Sequence, residues 1–317
     1  RIIATLQREG YRFISLEKYL GMSRQQLMPE IPKGETYYAM QANLTLAEII
    51  YHTSDFLTAL FVVFLVLGFL RLAFMYFLMI KEKRAEHRRH YPTLTKGNAP
   101  HVSIIVPAYN EEVNCVRTVS NLLKEDYPSF DVIFVDDGSK DHTLERIHEA
   151  FDGNQRVQIL GKANGGKASA LNYGIAHTTA EYVVCIDADT QLRPDAVSRL
   201  MQHFLLDDAH SIGAVAGNVK VGNQRNMLTR WQAIEYTTSQ NFDRMAYSYI
   251  DAITVVPGAI GAFRKEAIEK AGGLTTDTLA EDCDLTMRIN EAGYRIENES
   301  YAVAMTEAPE NVRQFVK

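Results

Sequence analysis

The chain of 317 residues has room for one large domain with appendages. An apolar share of 46% against 23% charged residues excludes a disordered polymer. A net charge of −6, with no basic stripe interleaved with aromatics, leaves no footing for a nucleic-acid partner.

Arg1 stands where an initiating Met would, and no signal peptide opens the chain, so a segment of a longer protein is expected. Residues 1–47 form a small amphipathic region. Ile3 and Leu6 follow helical spacing, Gly10 ends that helix, and Tyr11 to Ile14 alternates like a short strand. Leu16 to Leu20 starts another helical turn, and Pro29, Pro32 and Gly34 mark a linker. The region is too short to bury a core of its own.

Residues 56–80 are almost wholly apolar, broken by Thr58 and Arg71. At about 1.5 Å per residue they exceed the roughly 30 Å of a bilayer's hydrocarbon core. A transmembrane helix is expected, although a buried core helix has the same composition. Arg71 would then snorkel or pair with another helix. Lys81, Lys83, Arg84, Arg88 and Arg89 follow at once, which puts that flank in the cytoplasm and the N-terminal piece outside the cell membrane. Residues 81–100 are this basic flank and a linker.

From His101 onward strand and helix signals alternate. Strands are expected at Val102 to Ala108, Val132 to Val135, Val157 to Leu160, Tyr182 to Ile186 and Ile212 to Ala216. Helices are expected at Glu111 to Lys124, from Asp141, at Lys167 to Ala176 and at Pro194 to Leu206. Such alternation describes an α/β fold with a mainly parallel sheet covered on both faces. A long helix from Met227 to Ser248, a glycine-rich strand from Val255 to Phe263 and a helix from Glu281 to Ala292 complete residues 101–317.

Chemistry gathers where buried strands give way to turns. Asp136 and Asp137, in Asp136-Asp137-Gly138-Ser139, suit a base N–H or a ribose hydroxyl, although Asp-Gly is also simply a good turn. Asn164-Gly165-Gly166-Lys167 delivers a cation at a helix start, where the dipole disfavours it unless an anion or water offsets it. Asp187 and Asp189, two residues apart, point the same way and fit one Mg²⁺ or Mn²⁺. Glu281 and Asp282 open a helix. Acids there favour the dipole, and either also suits general base work on a hydroxyl. Cys115, Cys185 and Cys283 lack disulfide or zinc spacing and read as packing residues in a reducing compartment.

These motifs, with Ser103 to Glu112 (which contains Pro107-Ala108-Tyr109-Asn110) and Ala170-Leu171-Asn172, resemble family 2 glycosyltransferases over about residues 101–317. The resemblance implies a GT-A fold, a UDP-sugar donor, a divalent cation and inversion at the anomeric carbon. It puts Asp136 and Asp137 on uridine, Lys167 on the nucleotide side, Asp187 by the donor sugar and diphosphate, and Asp189 on the metal. Asp282 becomes the base, beside Glu281. Val256 to Arg264 resembles the acceptor-side segment of synthases of the poly-N-acetylglucosamine, chitin and hyaluronan type, implying acceptor contacts at Gly258 and Ala259, with Trp231 stacking a sugar. About the first 27 residues resemble the end of a polysaccharide deacetylase domain, whose catalytic motifs would precede Arg1. On that linkage N-acetylglucosamine is the expected sugar and a polysaccharide the acceptor. Processive members carry Gln-x-x-Arg-Trp after the Glu-Asp helix, and this chain stops about where that motif begins. A single-transfer enzyme acting on a lipid phosphate and a non-catalytic nucleotide-sugar-binding fragment remain alternatives.

Overall fold

The computed structural model describes residues 2–30, 32–95, 97–207, 209–278 and 280–311; the last six residues of the expected 101–317 domain lie outside these. The chain divides into two compact units, 1–70 and 71–317.

In the first unit, helices α1 (Ile2–Arg8), α2 (Leu16–Leu20) and α3 (Arg24–Leu27) are short. Ser15 caps α2, Gly21 closes it in the left-handed region, and Ser23 with Gln26 forms a capping box on α3. The alternating run Tyr11 to Ile14 is not a strand, because no partner strand lies beside it among the described residues. Helix α4 (Glu35–Arg88) begins well before residue 56 and continues through the basic flank, in keeping with a stretch free of proline and rich in Ala, Leu, Met and Glu. Its most apolar window has no buried residue and is long enough to cross a membrane.

In the second unit an eight-stranded mixed sheet is ordered β3-β2-β1-β4-β7-β6-β8-β5. Its parallel half comprises β1 (Val102–Ala108), β2 (Phe130–Asp136), β3 (Val157–Gly161) and β4 (Tyr182–Cys185). These runs are apolar on both faces because both are covered: Val102, Ile104, Val132 and Phe134 join one core layer, and Ile105, Ile133 and Val135 the other. Helices α5 (Cys115–Leu122), α6 (Thr143–Phe151) and α7 (Lys167–Ala176) supply the layers around this half, α8 (Ala196–Leu205) packs mainly on the other half, and β5 (Gln191–Leu192) is a two-residue edge.

The remaining strands are β6 (Ile212–Val221), β7 (Gly261–Arg264) and β8 (Arg295–Thr306); β7 is antiparallel to both β4 and β6. Between β6 and β7 runs an unbroken helical stretch: α9 (Met227–Glu235), a π-helical segment (Tyr236–Asp243) and α10 (Arg244–Ser248). Short α11 (Lys265–Lys270) follows β7, and α12 (Glu281–Glu291) leads into β8. The glycine-rich strand is shorter than expected, since Val256 to Ile260 turns out of the sheet. All three cysteines are free thiols, with Cys115 and Cys185 buried.

Within this unit the end of α4 packs onto the α10 region: Met75 and Leu78 meet Ala246, with Met79, Phe242 and Tyr247 around them. Arg71 finds its partner in Asp243, at 3.8 Å. Further along, Arg89 reaches Glu297 at 3.2 Å and Glu82 at 3.6 Å. His203 lies buried between Glu297 (2.6 Å) and Glu299 (3.0 Å). Burial opposes its charge, yet the two carboxylates lift its pKa to about 9, so both ring nitrogens donate.

Candidate active site

The ends of β1, β2 and β4 and the start of α7 enclose a cleft of about 490 Å³, within the usual range for a ligand site. Asp187, Asp189, Asp137, Lys167, Asn164, Tyr109 and Glu111 line it. Parallel strands ending together bring these polar residues to one edge, the position where open α/β sheets bind ligands.

Asp136 and Asp137 do different jobs. Asp136 is buried, accepts the Ser139 N–H at 3.1 Å through one oxygen, and has its other oxygen buried without a hydrogen-bond partner. Asp137 organises the neighbouring turn: Lys162 donates to it at 2.6 Å, and the Gly165 and Gly166 N–H groups at 3.0 and 2.7 Å. Gly138 is needed between them and the turn, since with φ +70° a Cβ there would lie 2.8 Å from the Asn164 backbone nitrogen. Lys162 escaped sequence reading, because its partner comes from another strand.

Lys167 is the hinge of the site. Its Nζ lies 2.5 Å from Asp187 Oδ1 and 3.6 Å from Glu281 Oε1. Burial opposes the ammonium charge, but Asp187, then Glu281 and Asp282, outweigh it and hold the pKa above the usual lysine value. The lysine fits only because position 258 is glycine: a Cβ there would stand 2.6 Å from Nζ and 3.8 Å from Asp187 Oδ1. Ala259 is buried beside it in the core layer. So Asp187, Lys167, Gly258 and Glu281 meet, although they come from four separate stretches of chain.

Asp189 is pushed above the usual carboxylate range, first by burial and then by the charge of Asp187; hydrogen bonds from Thr306 (3.2 Å) and Thr190 (3.3 Å) oppose this. Two crowded acids of this kind fit a divalent cation that relieves their repulsion. Among the described residues no group of three or more Cys, His or acidic side chains comes together as a metal site. Glu111 is likewise raised, chiefly by burial, with Asp189 contributing.

Asp282 sits in the first turn of α12, its Oδ1 accepting the Cys283 N–H at 2.8 Å. The third acid of that turn, Asp284, is structural, tied to Arg288 at 2.6 Å and to Thr275. Arg244, on α10, is almost fully buried and donates to the Gly217 carbonyl at 2.8 Å. Burial draws its pKa down to about 10 against the pull of Asp282. Trp231 stands on the exposed face of α9 and, like Asp136, Glu281, Asp282, Gly258 and Ala259, is not among the residues that line the cleft.

The architecture is that of a GT-A-type domain, a Rossmann-like mixed sheet with acids at its strand ends. Residues 103–272 match the family model for glycosyl transferase family 2, and the chain belongs to that family. A poly-β-1,6-N-acetyl-D-glucosamine synthase of Staphylococcus aureus is 30% identical over 238 residues, covering 75% of this chain and 57% of the synthase. The Staphylococcus epidermidis synthase is 31% identical over 247 residues with the same coverages. The chain thus spans little more than half the length of these relatives. Among solved structures, the mannosyltransferase PcManGT from Pyrobaculum calidifontis, in complex with GDP-Man and Mn²⁺, superposes with a TM-score of 0.59 at 24% identity, covering 76% of this chain and 66% of that one. Residues 1–349 of S. aureus TarS, in complex with UDP-GlcNAc, give 0.51 at 19% identity, covering 68% and 61%. These two similarities concern the fold.

Proposed function

We propose that this chain is the catalytic portion of an inverting, metal-dependent glycosyltransferase that moves N-acetylglucosamine from UDP-GlcNAc to a growing β-linked polysaccharide. The observation that carries the reading is the Lys167 ammonium, held by Asp187 on the donor side and by Glu281 at the head of α12. It ties the proposed diphosphate site to the helix start that carries the proposed base Asp282.

In this reading Asp136 and Asp137, with the turn they organise, hold uridine, and Tyr109 offers its ring to the base. Asp189, with Asp187 beside it, holds Mg²⁺ or Mn²⁺, which would offset charge on the departing diphosphate. Asp282 takes the proton from the acceptor hydroxyl as that oxygen attacks the anomeric carbon from the face opposite the diphosphate. Lys167 steadies the nearby carboxylates and meets the phosphates. Gly258 and Ala259 let acceptor sugar approach the backbone closely. The choice of sugar rests on the resemblance of the first 27 residues to a deacetylase end, together with the activity for which the staphylococcal relatives are named. Helix α4 would cross the cell membrane with the catalytic unit on the cytoplasmic side, as Lys81, Lys83, Arg84 and Arg88 favour.

The test is Asp282→Asn in the membrane-reconstituted protein with Mn²⁺ and UDP-GlcNAc. UDP affinity should persist while transfer falls by about a hundredfold or more, the scale of a lost general base. Transfer at the parent rate would refute the assignment, and donor binding without turnover in the parent chain would favour a binding module.

A further inference from the structure

Apolar packing decides which face of α12 is buried, but not how far the helix slides along its neighbours. Leu285 and Ile289 of α12 share a core layer with Ala168, Ala170 and Leu171 of α7, and contact of this kind is non-directional. The site depends on that height. Asp282 stands in the first turn of α12, and the donor side is set by Lys167 in the first turn of α7.

Directional bonds fix it. Asn172 lies five residues beyond Lys167 on α7, about 7.5 Å further along the helix. Its Nδ2 donates to the Leu274 carbonyl at 2.7 Å, and its Oδ1 accepts the Leu274 N–H at 3.0 Å. One side chain thus takes both backbone groups of a residue 102 positions away. The loop comes this close because residue 273 is glycine: a Cβ there would lie 3.1 Å from Asn172 Oδ1. Leu274 is buried in the same core layer. The next residue passes the constraint on, since Thr275 donates to Asp284 at 2.6 Å. Asp284 also accepts from Arg288 at 2.6 Å, and Arg288 donates to the Ala271 carbonyl. Asp284 belongs to the same first turn as Asp282. A run of hydrogen bonds therefore leads from α7 to the turn that carries the proposed base, while Lys167 meets Glu281 at 3.6 Å at its head.

We propose that Asn172 is a positioning residue for the transfer step: it clasps Leu274 so that Asp282 stands at a fixed distance from the donor held beside Lys167. This deepens the transferase reading and rests on Asp282 being the base. Asn172 is not among the residues that line the cleft; it acts through Leu274, Thr275 and Asp284. A shift of about 1 Å in a catalytic group costs up to roughly a hundredfold in rate. Donor affinity, set by the strand ends and Lys167, should change little.

The test places Asn172→Ala in the parent chain and in the Asp282→Asn chain, both membrane-reconstituted with Mn²⁺ and UDP-GlcNAc. In the parent, kcat should fall about tenfold or more, while calorimetric UDP-GlcNAc affinity stays within about twofold. In Asp282→Asn the same change should cost less than about twofold, because the group that Asn172 positions is already disabled. Equal losses in both backgrounds, or a drop in donor affinity that matches the drop in rate, would show a general structural role and overturn the proposal. Parent kcat in Asn172→Ala would overturn it too. If Asn172→Ala does not fold, Thr275→Val decides, since it removes one hydroxyl from a half-buried loop position. A fall of about threefold in kcat with donor affinity kept is then expected, and an unchanged kcat would overturn the proposal. Asp282→Asn by itself separates the two readings. Transfer at the parent rate there removes the base assignment and this proposal with it, whereas a large loss there with no effect at position 172 removes this proposal alone.

Discussion

Replacing Gly258 by alanine sends a methyl carbon into the space held by the Lys167 ammonium. The 2.6 Å separation from Nζ falls well short of the 3.4 Å at which ordinary contact begins, so the lysine must move by nearly an ångström. Gly258 is not among the positive-φ glycines, so its backbone suits alanine, and the displaced group is the end of a flexible side chain. The fold should therefore persist while the site deforms. The displaced ammonium loses its 2.5 Å contact with Asp187, and its second link, to Glu281 at 3.6 Å, stretches. Lys167 is 38% exposed, so water softens the loss. A cost of about 1–2 kcal/mol, roughly tenfold in kcat/KM or in UDP-GlcNAc affinity, is expected. Calorimetric binding and transfer assays with Mn²⁺ measure it, alongside the thermal midpoint. The same substitution in a Lys167→Ala background should cost little more, because the two changes remove one interaction. Full activity in Gly258→Ala, or simple additivity in the double variant, would refute the coupling.

Two further outcomes follow from the buried charges. Lys162→Met removes the cation on Asp137 and loosens the Gly165–Gly166 turn, so UDP affinity should fall by about tenfold with the transfer step little changed. Glu125 and His203 each draw stability down as pH rises. Glu125 donates nothing when ionised: one oxygen accepts the Val197 N–H at 3.1 Å and the other is buried without a partner. Burial lifts its pKa from 4.5 to about 8, so its contribution is complete below pH 4.5 and is lost as pH climbs to 8. His203, raised from 6.5 to about 9, contributes fully below pH 6.5 and loses that share as pH passes 9. At about 1.4 kcal/mol per pH unit each group is worth a few kcal/mol at most. Glu125→Gln should flatten the decline between pH 5 and 8 in thermal melts followed by circular dichroism; an unchanged slope would contradict the assignment.

The cleft was legible because its acids follow runs such as Val132 to Val135 and Tyr182 to Cys185, whose apolar residues on both faces announce a covered parallel sheet. The edges were not. β8 reads as polar because Glu297 and Glu299 are buried against His203, and Glu86 accepts the Ser300 N–H; partners nearly a hundred residues away or more satisfy the strand, and no local pattern records them. Asp137 illustrates the same limit. Its type and position mark a ligand site, yet most of its hydrogen-bonding capacity serves the turn that shapes that site.

The most direct measurement is the position of Mn²⁺ in the protein bound to UDP-GlcNAc, located by anomalous scattering. The expected peak lies against the Asp189 carboxylate, with the donor's anomeric carbon turned toward Asp282. A metal peak remote from Asp187 and Asp189, or a donor sugar facing away from the head of α12, would contradict the account.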